Sequence, residues 1–347
     1  MRFLFDILHP AHVHVLRHPM EMLRSAGHTV VVTARVKDVA TDLLDEYGIS
    51  YVTISEQRTG TAAMAAGLLT RSVRLAQIAR RERVDALVGL MGPSIAPVGK
   101  LLRKPSFVLY DTEIATRTNR WVYPMATEVI TPDCYSAPVN GSHITYNGYH
   151  ELAYLHPNRF TPDASVLDQF GINQDRPYVV VRLPEFASSH DGNEVDTDSA
   201  QWIEWIDELS ERVSVHVSSE RSLPRALEPF RLRGPVTGVH HVLAYADLVI
   251  GESATMAAEA AVVGTPAVFI GATSRGYIDD IEDRYGLVRH FLPSDFEGAR
   301  TQAVSFLNDI DGGGVNDAHQ ALVADHIDVS EWLVEHLLTA LGEGERP

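Results

Sequence analysis

The sequence contains little cysteine, no long apolar run and no evident targeting segment. A single cysteine, Cys134, among 347 residues excludes an internal disulfide and a cysteine-based zinc cluster. No stretch reaches the ~18 consecutive apolar residues of a membrane-spanning helix, so we expect no transmembrane segment. The first ten residues are not typical of a signal peptide, because Asp6 and His9 interrupt the apolar segment. These absences lead us to expect a cytoplasmic protein.

Basic residues are also scarce. Acidic residues outnumber them 46 to 29, which gives a formal net charge of −17. A surface this acidic repels nucleic-acid phosphates, so we expect no nucleic-acid partner. Only three of the basic residues are lysine. This composition fits a halophilic, salt-rich cytoplasm in which ions screen charge repulsion, and it fits equally a high-GC genome that favours arginine codons.

Strand-like and helical segments alternate along the whole sequence. Short apolar runs such as TVVVTA (29–34), DALVGL (85–90) and PYVVVRL (177–183) are separated by spans with helical periodicity. This alternation predicts an α/β protein with parallel sheets, and the pattern restarts after residue 155. A single long helix is predicted near 316–341. The predicted domains are residues 1–155 and 156–330, followed by a C-terminal helix end and tail at 331–347.

Four histidines, His9, His12, His14 and His18, follow the first predicted strand. Ligands gather at the carboxyl ends of strands in open α/β sheets, and an imidazole with a pKa near ~6.5 can act as a general base. We predict that His12 is catalytic and that His9 and His14 bind substrate. Packing or helix-capping roles are the alternative. We expect no metal site, because His12 and His14 would point to different faces of a helix.

The segment GESATMAAE (251–259) combines a small-residue turn with the start of a helix. Small residues allow a ligand to approach the backbone, and the free N–H groups of a first helical turn suit a diphosphate. The carboxylate of Glu259, two turns into the helix, would accept hydrogen bonds from ribose. An ordinary turn with a serine N-cap and a solvated glutamate is the alternative. The predicted substrate-binding residues here are Gly251, Glu252, Ser253, Ala254, Thr255 and Glu259.

Two further candidates lie at strand ends. Arg182 follows the first strand of the second domain and could bind a diphosphate through its planar guanidinium. A salt bridge with Glu185 or another acid is the alternative role. Glu113 comes just after the predicted strand 106–111 and is the second candidate for a catalytic residue.

The chain resembles family 354 of the domains of unknown function, a GT-B-like group. The resemblance covers nearly the whole chain and rests on the segments DILHPAHVH (6–14), DTE (111–113), YNGYHELAYLHPNRFTPD (146–163) and GESATMAAE (251–259). It implies a GT-B type of α/β fold, with two Rossmann-like domains whose parallel sheets face each other across a cleft. It also implies an acceptor on the first domain and a nucleotide sugar on the second.

The chain is also similar in part to the N-acetylglucosaminyl transferase of peptidoglycan synthesis. That family has a histidine in its first loop, and His12 lies at a similar place. It also has a glutamate five residues before a Gly-x-Pro that binds the donor ribose, and Glu259 has this spacing from Gly264-Thr265-Pro266. The resemblance implies a ribose-binding role for Glu259.

A second partial similarity is to the non-hydrolysing UDP-N-acetylglucosamine 2-epimerase. Thr112-Glu113 and Asn119-Arg120 look like the Val-Glu and Asn-Arg segments of that family. Two departures concern carboxylates: Met91-Gly92-Pro93 replaces a Gly-Asp-Thr, and Thr116-Arg117-Thr118 replaces paired glutamates. Because epimerisation needs acids and bases around the sugar ring, these departures argue against that reaction.

We therefore predict a metal-independent glycosyltransferase that moves a sugar from a UDP-sugar-like donor to an unknown acceptor. No cofactor is expected, because the nucleotide sugar is a substrate and a helix dipole would stabilise the departing diphosphate. A nucleotide-sugar epimerase or hydrolase using Glu113 is one alternative, and a noncatalytic nucleotide-sugar-binding protein is another. A lipid-linked acceptor would need an apolar patch, for which 61–69 is a candidate and a plain buried helix the alternative.

Overall fold

The computed structural model describes residues 1–36, 38–56, 61–183, 197–219, 222–309 and 314–343. The chain divides into two compact units, Met1–Arg159 with His326–Pro347, and Phe160–Asp325. The predicted domains ended at residues 155 and 330, a few residues from these boundaries. The prediction did not include the return of the C-terminal segment to the first unit.

The first unit contains a seven-stranded parallel sheet in the order β3-β2-β1-β4-β5-β6-β7. The first strand, RFLFDI, is buried at five of its six residues, which is typical of a central strand covered on both faces. The second and third strands lie on one side of the first strand, and the fourth strand lies on its other side. The boundary between the first and fourth strands is therefore the topological switch point. The strands are β1 (Arg2–Ile7), β2 (Thr29–Val36), β3 (Val52–Glu56), β4 (Ala86–Leu90), β5 (Ser106–Leu109), β6 (Glu128–Pro132) and β7 (His143–Tyr146).

Helices connect the first six of these strands in turn, and the alternating pattern predicted the helices as far as β5. The first begins with Pro10, whose missing N–H is harmless at that position, and Gly27 follows its end with a positive φ of 86°. The connecting helices are α1 (Pro10–Ser25), α2 (Asp38–Glu46), α3 (Thr61–Arg81), α4 (Ile95–Leu102) and α5 (Thr116–Val122), and α6 (Leu152–Leu155) follows the last strand.

The second unit contains a five-stranded parallel sheet in the order β12-β11-β10-β8-β9, with its switch point between the strands numbered 8 and 10. Trp202 and Trp205 stack at 5.3 Å in the core of this unit, and both rings meet the edge of Phe296. The strands are β8 (Tyr178–Arg182), β9 (Ser214–Ser218), β10 (Leu248–Gly251), β11 (Ala267–Ile270) and β12 (Val288–Phe291). The helices are α7 (Thr197–Ser210), α8 (Val239–Ala244), α9 (Ala254–Val262), α10 (Gly276–Tyr285), α11 (Phe296–Asn308) and α12 (Gly314–Asp325).

The single helix predicted near 316–341 is wrong, because α12 ends at Asp325 and a separate helix, α13 (Val329–Ala340), begins at Val329. Asp328 causes the break. Its carboxylate accepts hydrogen bonds from the backbone N–H groups of Ser330 and Glu331, and it also accepts one from Arg159 at 2.7 Å. No helix among the described ranges combines the length and apolar character needed to cross a bilayer.

Candidate functional site

In each unit a loop or turn that carries predicted site residues lies at the carboxyl edge of the sheet, beside the switch point. In the first unit, the loop that carries His9 and His12 follows β1, which pairs with β4. In the second unit, the turn from Gly251 to Ser253 ends β10, which pairs with β8. Open α/β sheets place ligands at such positions, and we describe each unit separately.

His9 and His12 shape the start of α1. His9 is the N-cap, and its Nδ1 accepts a hydrogen bond from the backbone N–H of Ala11 at 3.3 Å. The His12 ring is buried within the first turn, where its Nδ1 accepts from the backbone N–H of Leu8 at 3.3 Å. The capping role that we considered as the alternative for these histidines therefore applies to His9.

The surroundings of His12 keep its ring neutral. Burial lowers the pKa of His12 well below its ordinary value, and the neighbouring His9, His150, Arg35 and Arg71 lower it further. A neutral ring that accepts at Nδ1 carries its proton at Nε2. The geometry therefore suits His12 as a hydrogen-bond donor to a substrate oxygen better than as the catalytic base that we predicted.

Two arginines, the buried Arg71 and the half-buried Arg35, hold the loop after β1. Arg71 on α3 forms a short ion pair with the buried carboxylate of Asp6, which also accepts from the Thr33 hydroxyl at 2.7 Å. Arg35 on β2 donates to the backbone carbonyl of Leu8 at 2.9 Å. Sequence reasoning missed both arginines, because they lie 27 and 65 residues from the groups they bind and only the fold brings them together.

The structure places His14 in a packing position, and its role in binding substrate stays a prediction. Its buried ring stacks on Tyr154 with a centroid distance of 5.3 Å and meets the edge of Tyr47 at 6.2 Å. Side chains two residues apart on a helix point in widely different directions, so His14 packs α1 against its neighbours while His12 lies at the loop.

His150 is a further candidate site residue that sequence reasoning did not identify. It follows β7 and is almost completely buried, with a short hydrogen bond between its Nδ1 and the Tyr146 hydroxyl. Burial lowers the pKa of His150, and the carboxylate of Asp111 opposes that effect. Among the described residues, no group is within hydrogen-bond distance of its Nε2. Its position after a strand in the YNGYH segment was the signal that could have found it.

Glu113 lies near the same edge of the first sheet, after β5. Its Oε1 accepts from the backbone N–H of Ser136 at 3.4 Å, and its side chain is half-buried. Burial chiefly raises the pKa of Tyr135, and the nearby carboxylates of Glu113 and Asp111 add to the increase. Glu113 is therefore close to a cluster of neutral tyrosine hydroxyls and to Asp111.

In the second unit, Gly251 ends β10 in a conformation that only glycine can adopt there. Its φ is 153°, and an added Cβ would lie 2.1 Å from the backbone oxygen of Arg182. The next residue, Glu252, donates its backbone N–H to that same oxygen at 3.1 Å. The backbones of β8 and β10 are therefore in direct contact where the predicted diphosphate turn begins.

Ser253 caps α9 as the structural alternative predicted. Its Oγ accepts from the backbone N–H of Met256 at 3.2 Å. The N–H groups of Ala254 and Thr255, in the first turn, have no acceptor within the helix by its geometry. Their residues are partly exposed, so the turn combines a cap with amides that an anion could reach.

Two charged side chains flank this turn. Arg182 ends β8 and donates to the Ser218 hydroxyl at 3.2 Å, while Glu185, the partner that we considered for it, lies outside the described residues. Glu252 is exposed and accepts from the indole N–H of Trp202 at 3.2 Å. A carboxylate repels a diphosphate, so Glu252 suits contact with sugar hydroxyls better than with phosphate.

Glu259 is not the solvated helix charge that we considered as its alternative role. It is 7% exposed, and its Oε1 lies 3.1 Å from Nε2 of His240 on α8. Its role in binding ribose stays a prediction. Within the described residues, no group of three or more His, Cys, Asp or Glu side chains could hold a metal ion.

The apolar segment 61–69 is only partly described, because the side chains of 61–66 lie outside the described residues. At its end, Leu69 is 69% exposed, and Val73, one turn further along α3, is 51% exposed. The alternative of a plain buried helix is therefore wrong at Leu69.

Several solved structures have the same fold as this chain. The glycosyltransferase SnogD from Streptomyces nogalater is 16% identical, with a TM-score of 0.63 over 99% of each chain. UDP-GlcNAc 2-epimerase from Neisseria meningitidis, solved bound to UDP-GlcNAc, is 11% identical, with a TM-score of 0.66 over 98% of this chain and 100% of its own. MurG from Acinetobacter baumannii is 15% identical, with a TM-score of 0.59 over 98% of this chain and 100% of its own. At these identities the similarity shows the fold alone, and it confirms the predicted GT-B type.

We found no match among curated proteins. A model of the family described as "Protein of unknown function (DUF354)" matches residues 1–280. This is the family that the sequence motifs predicted, and the match covers most of the chain. The chain therefore belongs to the DUF354 family.

Proposed function

We propose that the protein transfers a sugar from a UDP-sugar-like donor to an acceptor hydroxyl. The observation that carries this proposal is the turn from Gly251 to Thr255, where a position restricted to glycine leads into partly exposed first-turn amides at the switch point of the second sheet. The fold adds support, because similar structures include the glycosyltransferase SnogD and a 2-epimerase solved with bound UDP-GlcNAc.

On the donor side, the diphosphate would bind the N–H groups of Ala254 and Thr255. The positive end of the α9 dipole would stabilise the negative charge that develops on the leaving diphosphate, so the chemistry does not require a metal ion. The guanidinium of Arg182 would add a charged hydrogen bond to the same group. Glu259, held by His240, would accept from ribose.

On the acceptor side, Glu113 would be the base. It would take the proton of the acceptor hydroxyl as the new glycosidic bond forms and the bond from the sugar to the diphosphate breaks, which inverts the anomeric carbon. His12 would donate from Nε2 to a substrate oxygen, because its Nδ1 is occupied by the Leu8 amide. We prefer Glu113 over His12 as the base for this reason.

Binding of UDP tests the donor site without knowledge of the acceptor. We expect Arg182→Gln to weaken UDP binding at least tenfold in calorimetric titration, since it removes a charge-assisted hydrogen bond. Arg176→Gln is the matched control, because Arg176 is exposed on the same unit and forms no salt bridge among the described residues. Equal affinity in wild type and Arg182→Gln would contradict the proposed donor site.

A nucleotide-sugar epimerase or hydrolase is the second candidate, favoured by the position of Glu113 at the carboxyl edge of the first sheet and by the similarity in fold to a 2-epimerase. Incubation of the protein with UDP-sugars alone separates the two reactions. A new sugar isomer or free UDP that disappears in Glu113→Gln would support the second candidate. Tight binding without turnover, even with acceptors present and unaffected by His12→Ala, would support a noncatalytic binding protein.

A further inference from the structure

A basic groove of about 510 Å³ lies between the C-terminal ends of α3 and α4. Its charged lining consists of Arg80, Arg83, Arg103 and Lys104, with Asp85 as the one carboxylate among the lining residues. Asp85 directly precedes β4 and Lys104 lies two residues before β5. The groove is therefore at the amino edge of the first sheet, whereas the candidate site residues of this unit are at the carboxyl edge.

Four cations around one carboxylate are unusual in a chain with a net charge of −17. Asp85 is already engaged, since it accepts from the backbone N–H of Arg2 at 2.9 Å and lies 3.8 Å from Lys104. Within the described ranges, Arg80, Arg83 and Arg103 form no salt bridge. The groove therefore has an excess of positive charge that the described protein does not neutralise.

The backbone conformation gives an independent reason to assign a function to the arginines of this groove. Arg83 and Arg103 follow α3 and α4 with φ values of 52° and 54°, a left-handed conformation that is unfavourable for residues with a Cβ. Glycine adopts it freely and is the usual residue at such helix ends. Elsewhere in the described chain, glycine takes this role after helices, at Gly27, Gly48 and Gly286.

Compensation of the helix dipole does not explain the two arginines. Cations near a helix C-terminus are favourable, but Arg80 and Arg81 already lie in the last turn of α3, and Lys100 lies in the last turn of α4. The end of α10 shows the alternative arrangement, with Arg284 in its last turn and glycine at the left-handed position. The side chains of Arg83 and Arg103 are thus placed in the groove at a backbone cost that dipole compensation does not require.

We propose that this groove binds a phosphoryl group, at a site separate from the candidate sugar-transfer residues. Guanidinium groups match the geometry of phosphate oxygens and bind them with two parallel hydrogen bonds. The volume is in the range of ordinary small-molecule sites. The phosphoryl group would belong either to a small phosphorylated molecule or to the head group of an anionic lipid.

The test is the double variant Arg83→Gly/Arg103→Gly. It removes two guanidinium groups and places glycine at both left-handed positions, so we expect its melting temperature to equal or exceed that of wild type. Calorimetric titration with inorganic pyrophosphate at low ionic strength should show at least tenfold weaker binding. The titration is then repeated with Arg182→Gln added to wild type and to the double variant. This separates pyrophosphate binding in the groove from pyrophosphate binding at the turn before α9.

The control is Arg24→Ala/Arg176→Ala, which makes the same change in net charge at exposed arginines outside the groove, and it should retain wild-type affinity. Sedimentation with phosphatidylcholine vesicles, with and without phosphatidylglycerol, distinguishes the two sources. Loss of anionic-vesicle binding in the glycine variant alone, with pyrophosphate binding unchanged, would assign the phosphoryl group to a lipid. If the glycine and alanine variants behave alike toward both probes, the proposal is overturned.

Discussion

The turn after β1 and the turn after β10 each lie beside the switch point of their own sheet, but they are built in opposite ways. The first is held by charged side chains, with Asp6 paired to Arg71 and Arg35 bound to the Leu8 carbonyl. The second is held by backbone contacts, since Gly251 lies against the Arg182 carbonyl and Glu252 donates to it. The comparison shows that one fold can present ligand-binding groups either as side chains or as backbone amides.

The difference leads to distinct expectations for mutation. At the side-chain-built turn, which is the turn after β1, removal of one charge should be most damaging. At the backbone-built turn, which is the turn after β10, addition of a single Cβ atom should be most damaging. The predictions below test this contrast, beginning with the largest effect.

We expect Asp6→Asn to lower the free energy of unfolding by about 3–5 kcal/mol, because it leaves Arg71 buried without its counter-charge. Urea denaturation measures the change. The double variant Asp6→Asn/Arg71→Met should be less destabilised than the sum of the single variants, since no unpaired charge remains. A loss below 1 kcal/mol in the single variant would show that the ion pair does not hold this turn.

We expect Gly251→Ala to lower the free energy of unfolding by about 2–3 kcal/mol and to abolish UDP binding, because its Cβ would meet the Arg182 oxygen at 2.1 Å. Gly171→Ala is the matched control. Its φ is also positive, at 66°, but an added Cβ has no atom within 4 Å, so it should cost about 1 kcal/mol from backbone strain alone. Equal losses in the two variants would remove the case for close backbone contact.

The sequence predicted both turns because each is a continuous segment with a recognisable composition. The parallel strands β1, β4, β8 and β10 were found for a related reason, since they are buried and nearly continuous in apolar residues. The strand β6 was not predicted, although four of its five residues are buried. The edge strands β7 and β12 were not predicted either. Each has one buried residue in four, so neither contains an apolar run that separates it from a loop.

The parts of the site that sequence reasoning missed depend on long-range contacts. Arg71 pairs with Asp6, which is 65 residues away in the sequence. His150 lowers the pKa of His12 although the two residues are 138 positions apart. Local spacing carries no information on such pairs. The packing partners of His14 could not be predicted for the same reason, because Tyr47 and Tyr154 come from distant segments.

The side-chain-built turn should also depend on pH. Burial lowers the pKa of His12 in the folded state, so between the unfolded pKa of ~6.5 and the lower folded value the unfolded chain binds more protons. The contribution of His12 to stability is therefore fully present above pH ~6.5 and is lost as the pH falls, by up to about 1.4 kcal/mol per pH unit. Urea denaturation of wild type and His12→Gln at several pH values should show a smaller decrease for the variant, and parallel curves would contradict this assignment.

The smallest effect concerns Ser253, whose side chain caps the helix that begins at the backbone-built turn. Ser253→Ala removes the hydrogen bond to the Met256 amide and should cost about 1 kcal/mol, whereas Ser253→Gly should cost a few tenths, because glycine is tolerated at an N-cap. UDP titration of both variants then separates two roles of the hydroxyl. Wild-type affinity in the glycine variant would make it a helix cap alone. Weakened binding in both variants would mean that the hydroxyl also contacts the ligand, and this turn would then bind through a side chain as well as through its amides.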